Sequence, residues 1–205
     1  MKLAHPFFDR PTLDVAPDLL GKVVVRRLGN ETLAGRIVET EAYLDHPDMA
    51  SHASRKNPKR AQIMFGPPGF AYVYQVYGMY FCLNLVAERE GVAGAVLVRA
   101  AEPVEGIDAI KRLRKRPMPE RNLTSGPSKL CQALGIDMAF NGVDLCGDEL
   151  WVEDRGLPRG EVCTGPRVGV DYAGEWALKP WRFWEAGSPF VSKAPRPRAR
   201  RGSRQ

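Results

Sequence analysis

Apolar and polar residues alternate with period two along AGRIVETEAYL (residues 34–44): Ile37, Glu39, Glu41 and Tyr43 fall on one side, and Arg36, Val38, Thr40 and Ala42 on the other. That period predicts an extended strand that carries two carboxylates and an aromatic ring on one face. The apolar run from Lys22 to Arg27 predicts a preceding strand, joined through a turn at residues 28–31, after a short helix from Ala16 to Leu20 that Gly21 stops. Residues 45–62 are polar and read as a loop. Two further strands, Phe70 to Val76 and Tyr80 to Ala87, are expected to pair across the Tyr77-Gly78-Met79-Tyr80 turn. A strand from Gly94 to Ala100 follows the charged turn at residues 88–91. Helical periodicity shows in VEGIDAIKRLRK and in SGPSKLCQALGI, where Pro127 suits a first helical turn and Gly135 a C-terminal cap. Short connections between consecutive strands favour antiparallel pairing. The expected fold class is α/β mixed: a single compact domain, residues 1–192, with a curved, mostly antiparallel sheet edged by helices and a protruding β-hairpin.

Composition narrows the classes. A chain of 205 residues with 44% hydrophobic content can bury one sizeable core. It has no apolar run of membrane length, and MKLAHPFFDRPTLD lacks the apolar stretch of a signal peptide, so a cytoplasmic protein, nucleoid-associated if bacterial, is expected. Cys82, Cys131, Cys146 and Cys163 are widely separated and form no CxxC pair, which favours free thiols in a reducing compartment over disulfides or a zinc site. The net charge of +6 equals the six basic residues of KAPRPRARRGSRQ, residues 193–205, which contain no acid; residues 1–192 are formally neutral. That tail reads as a disordered basic arm with affinity for polyanions. Within the neutral body, basic residues gather at Arg55, Lys56, Lys59 and Arg60 and again from Lys111 to Arg121, either as phosphate contacts or as solvated faces.

Three patterns bear on chemistry. YVYQVYGMYFCLN places Tyr72, Tyr74, Tyr77 and Tyr80 within nine residues around one glycine. Flat rings on an exposed turn can wedge into a base stack, whereas rings alternating along a central strand would fill a core. Glu39 and Glu41 lie on a half-buried strand, where a carboxylate must be paired, protonated or used: one is a candidate base, and ion pairing with Arg36, Arg99 or Arg167 is the structural alternative. Asp45, His46, Asp48 and His52 offer metal-ligand types, but their spacing matches no standard metal motif and a polar loop accounts for them. No GxxxxGK[ST] loop and no GxSxG elbow occurs.

Taken together, RIVETEAY, the loop reaching His52, the YVYQVYGMYFCLN hairpin, LVRAAEP, SGPSKLCQALGI, PRVGV and AGEW resemble, in order and from about Leu13 to Val191, the alkyladenine (3-methyladenine) DNA glycosylase family. The resemblance implies a single domain that binds double-stranded DNA containing a damaged purine as a monomer, flips the damaged nucleotide and hydrolyses its N-glycosidic bond. It assigns Glu41 as general base, with Arg99 and the backbone carbonyl of Val168 holding the attacking water. Tyr43, His52 and Tyr74 would hold the extruded base, and Asn84 would obstruct the exocyclic amine of guanine. Tyr77 would fill the vacated gap, with Met79 and Tyr80 pressing on the groove. Glu39 becomes a structural carboxylate. No cofactor and no metal are implied, and with no family lysine required, the abasic strand would be left uncut. The Asp45-His46-Pro47 run replaces a stretch that usually contains glycine, next to the expected pocket. A non-catalytic damaged-DNA-binding module, and a metal-dependent hydrolase using Asp45, His46, Asp48 and His52, are the rival readings from the residues alone.

Overall fold

The computed structural model describes residues 1–54, 58–115 and 117–192. The basic tail, Arg55, Lys56 and Arg116 lie outside the described residues. Two short helices open the chain, α1 (His5–Phe8) and α2 (Thr12–Asp18), followed by β1 (Val23–Leu28) and the long β2 (Glu31–Leu44). After α3 (Pro58–Ala61) come β3 (Ala71–Val76), β4 (Tyr80–Val86) and β5 (Gly94–Glu105). Helices α4 (Ile107–Leu113) and α5 (Pro127–Leu134) precede three short strands, β6 (Leu150–Glu153), β7 (Val162–Gly165) and β8 (Arg182–Glu185).

All strand pairings among the described residues are antiparallel, in the order β3-β4-β5-β2-β1-β6, with β8 bonded to β2 and β7 to β8. This is the expected mixed fold built on a curved antiparallel sheet. β2 is flanked by strands on both sides at residues 34–36 and again at 39–41. β5 runs along one edge, while the other edge passes from β1, which pairs as far as Arg36, to β8, which pairs with Glu39, Thr40 and Glu41. Register shifts against β5 flank Glu39. The carboxylate-bearing segment therefore sits where the sheet changes partner, and bulges of this kind re-aim side chains.

One core face carries Leu33, Ile37, Leu83, Leu85, Val96 and Val98 against α2 and α5. Thr40 fixes α2 to the sheet through a buried bond from its hydroxyl to the Ala16 carbonyl, 2.8 Å. α5 buries Leu130, Cys131, Ala133 and Leu134, and ends at Gly135 with φ +62°. A bond from the Ile136 amide to the Cys131 carbonyl closes that end, as the pattern predicted.

Several boundaries differ from the sequence reading. Helix α2 covers residues 12–18 rather than 16–20, because it starts directly after Pro11 and reaches Pro17 only in its last turn. The polar loop at 45–62 contains short helical turns at His52–Ser54 and Pro58–Ala61. β5 runs five residues beyond Ala100, because β2 pairs with it to the end. β6, β7 and β8 are four residues each, too short for a periodic signal. Cys82 and Cys131 are buried free thiols, whereas Cys146 and Cys163 are only half-buried. No described helix is long and apolar enough to cross a membrane.

Candidate active site

β3 and β4 pair from Ala71↔Leu85 to Val76↔Tyr80, and the chain reverses through Tyr77 and Gly78. Both have positive φ, +52° and +69°, and the Met79 amide bonds back to the Val76 carbonyl. Two successive left-handed residues are the requirement of a type I′ hairpin turn. Glycine meets it freely; tyrosine does so at a cost of about 1–2 kcal/mol. The turn sets a large ring at the tip, where Tyr77 is 90% exposed, Met79 64% and Tyr80 37%. The strand-borne rings behave otherwise. Tyr72 is buried, and Tyr74 lies at 5.3 Å from it, so the tyrosine cluster divides into core rings on β3 and exposed rings on the turn.

Beneath the hairpin lies a cavity of about 260 Å³. β2 contributes Tyr43, the turn after β2 contributes His52, and β3 and β4 contribute Tyr74, Cys82 and Asn84. β5 adds Leu97 and Arg99, the start of α5 adds Pro127 and Ser128, and the 168–172 segment adds Val168, Gly169, Val170 and Tyr172. Tyr77 closes the rim. Residues distant in sequence thus converge because β2, β4 and β5 are adjacent strands.

His52 stands edge-on to Tyr74 at 4.7 Å, and its Nδ1 is 2.8 Å from the Tyr72 hydroxyl, which fixes the ring orientation. Asn84 donates from Nδ2 to the Tyr72 carbonyl at 3.0 Å and is buried, so its amide is a rigid part of the wall. Burial pushes the Tyr43 hydroxyl well above the usual phenol range, and the adjacent Glu41 adds to the effect. The Tyr74 hydroxyl is raised likewise, by burial and then by Cys82. Both hydroxyls consequently remain donors at neutral pH.

Glu41 is fully buried below three groups that line the cavity. Its Oε1 accepts the Val168 amide at 2.6 Å; its Oε2 accepts the Tyr43 hydroxyl at 2.8 Å and Arg99 Nη1 at 3.2 Å. The Val168 amide thus ties the 168–172 segment to Glu41. Glu39 has a different set: Arg99 Nε at 3.0 Å, Arg182 Nε at 2.7 Å, and both the amide and hydroxyl of Ser192 at 2.7 and 2.9 Å. Two carboxylates thereby face two guanidinium groups, which meets the requirement that buried charge be compensated. Burial works against the Arg99 charge, but Glu41 and Glu39 outweigh it and hold its pKa above the ordinary arginine range.

Of the ion-pair partners considered from sequence, Arg99 takes both carboxylates. Arg36 binds Glu102 and Glu185 instead. Arg167 binds Asp48 through both oxygens at 2.6 and 2.7 Å, and its guanidinium lies over the Tyr43 ring at 4.8 Å. Asp48 is therefore a buttress of the pocket wall rather than a partner of His52. Sequence reasoning missed Arg182, Ser192 and Tyr172. The first two meet Glu39 only through β8 and the segment after it, which no local pattern links to β2. For Tyr172 the signal was its place four residues after Val168 in the PRVGV stretch.

The family model for methylpurine-DNA glycosylase matches residues 6–189. A relative from Methanocella arvoryzae is 53% identical over 93% of this chain and 96% of its own, and one from Alkaliphilus oremlandii is 49% identical over 94% and 100%. A third, from an Anaeromyxobacter strain, is 51% identical along the full length of both chains. All three carry the provisional name 3-methyladenine DNA glycosylase. A family match that spans nearly the whole chain, with every β-strand that builds the cavity inside it, means that this chain belongs to the methylpurine-DNA glycosylase family and is a DNA repair hydrolase.

Proposed function

We propose that the enzyme is a monofunctional glycosylase that turns an alkylated or deaminated purine out of duplex DNA and hydrolyses its N-glycosidic bond. The observation that carries this reading is Glu41, fully buried yet reached by three donors that all line an aromatic cavity. Glu41 accepts a proton from the attacking water and stabilises the oxocarbenium character that the sugar gains as the bond stretches. Arg99 and the backbone carbonyl of Val168 hold that water.

Tyr77 enters the minor groove and occupies the gap left by the flipped nucleotide, recovering part of an unstacking cost of a few kcal/mol. Met79 and Tyr80, beside it on the same turn, press on the groove. The base enters among Tyr43, Tyr74 and His52. A cationic alkylpurine gains roughly 0.5–2 kcal/mol from the ring faces. Asn84, held by the Tyr72 carbonyl, obstructs the exocyclic amine of guanine. One chain acts on one lesion, residues 1–192 form the glycosylase unit, and the basic tail adds sequence-independent affinity for phosphates.

The test is incubation with duplex oligonucleotides carrying hypoxanthine, 3-methyladenine or 7-methylguanine, with analysis of both free base and strand length. Release of base with the strand intact is expected. Strand scission without added base would contradict the monofunctional reading, and tight lesion binding without release would make the protein a damage-binding module.

A further inference from the structure

We infer that His5, Asp144 and Cys146 form a binding site for a zinc-type divalent cation, remote from the cavity and joining the N-terminal helix to the 141–149 segment. Their ligand atoms all lie within 4.8 Å of one another. Tetrahedral zinc with ligand bonds of about 2.0–2.3 Å sets its ligands roughly 3.3–3.8 Å apart. His5 Nε2 and Asp144 Oδ1 are already at 3.4 Å, so closure requires little more than rotation of the Cys146 side chain.

The orientation of His5 is the second observation. Its Nδ1 lies 2.8 Å from the Pro68 carbonyl, which can only accept, so Nδ1 carries the proton. Nε2 is thus the ring nitrogen turned to the Asp144 carboxylate. At 3.4 Å the two atoms are farther apart than in an ordinary hydrogen bond and at the spacing of two ligands bridged by one ion. A backbone carbonyl accepting from the far nitrogen is the arrangement that orients metal-binding histidines elsewhere. The surrounding chain supports this pose: Phe70 stacks on the ring at 5.7 Å, and a Cβ on Gly69 would come within 2.7 Å of Nδ1. The Cys146 amide donates to Asp144 Oδ1 at 2.8 Å, locking the Asp-Leu-Cys turn.

The donor set suits the ion. One imidazole, one carboxylate and one thiolate balance a divalent charge once the thiol proton is released to solvent, and borderline-soft zinc takes all three. His5 and Asp144 are each 44% exposed, which gives entry and leaves a fourth position for water. Lys2 is engaged elsewhere, by the Gly147 carbonyl and Asp148.

Cobalt(II) titrated into the full-length, reduced, tag-free protein reads the site directly. A thiolate-to-cobalt charge-transfer band saturating at one ion per chain, displaced by zinc, is expected. It should vanish in Cys146→Ser, persist in Cys163→Ser, and need at least tenfold more cobalt in His5→Gln and in Asp144→Asn. Absence of the band in the wild type overturns the proposal, as does a band that survives Cys146→Ser. If Cys146→Ser does not fold, an unchanged titration of His5→Gln overturns it equally.

Discussion

At the scale of single residues, the chemistry depends on how two carboxylates two positions apart are made different. Glu39 meets two arginines and both polar groups of Ser192, all from its own protein; Glu41 meets a backbone amide, a phenol and one edge of Arg99, all at the cavity. The first carboxylate is enclosed by four donors away from the cavity, whereas the second lies directly behind the Tyr43, Arg99 and Val168 groups that line it. Glu39→Gln should cost about 3–5 kcal/mol of folding stability, because it leaves buried guanidinium groups undercompensated. Urea unfolding measures this directly. A stability within 1 kcal/mol of wild type, on the scale of an ordinary exposed substitution, would mean that Glu39 is not a structural anchor.

At the scale of elements, the hairpin and the bulged strand divide the work. The hairpin presents Tyr77 with almost no contact to the body, so replacing it should be silent for folding. Tyr77→Ser is expected to lower affinity for a lesion duplex by one to two orders of magnitude, the scale of one lost base-stacking ring, while the melting temperature stays within a degree or two. Fluorescence anisotropy and thermal melting read the two quantities separately. A fall in melting temperature that parallels the loss of binding would mark the ring as structural instead.

The hairpin and β2 were legible in the sequence because their signals are local: tyrosines around a glycine, and alternation over eleven residues. The motif set also marked the cavity wall, since Tyr43, His52, Tyr74, Asn84 and Arg99 do converge there. The handover of β2 from β1 to β8 was not legible. It depends on a four-residue strand some 140 positions away, and neither β8 nor Ser192 carries a pattern that points to Glu39. The Asp48–Arg167 pair is a related case. Both residues were noticed, Asp48 as a metal-ligand type and Arg167 as a partner for glutamate, and only the folded chain shows that they belong to each other.

At the scale of the whole molecule, charge and burial set the response to solution conditions. Tyr43 and Tyr74 have phenols raised well above their ordinary value, and the buried Cys131 thiol is raised as well. A group whose pKa is higher in the folded state favours folding less as pH rises past its unfolded value. The stability these groups support is therefore complete below about pH 8.5 and falls as pH climbs through the thiol and phenol range, about 8.5 to 10 and beyond. Denaturant midpoints measured from pH 7 to 10.5 should decline over that window; a flat profile would contradict the burial of these groups.

The basic tail makes a separate prediction. With residues 193–205 removed, DNA affinity should fall and its salt dependence flatten, while single-turnover excision by bound enzyme stays nearly unchanged. An unaltered salt slope would show that the tail does not contact phosphates.

The central claim, that Glu41 activates water, is tested most directly by single-turnover excision of hypoxanthine from a duplex by wild type and Glu41→Gln, with lesion binding measured in parallel. A loss of about two to four orders of magnitude in excision is expected, with binding retained. Excision that persists within tenfold of wild type would mean that another group activates the water.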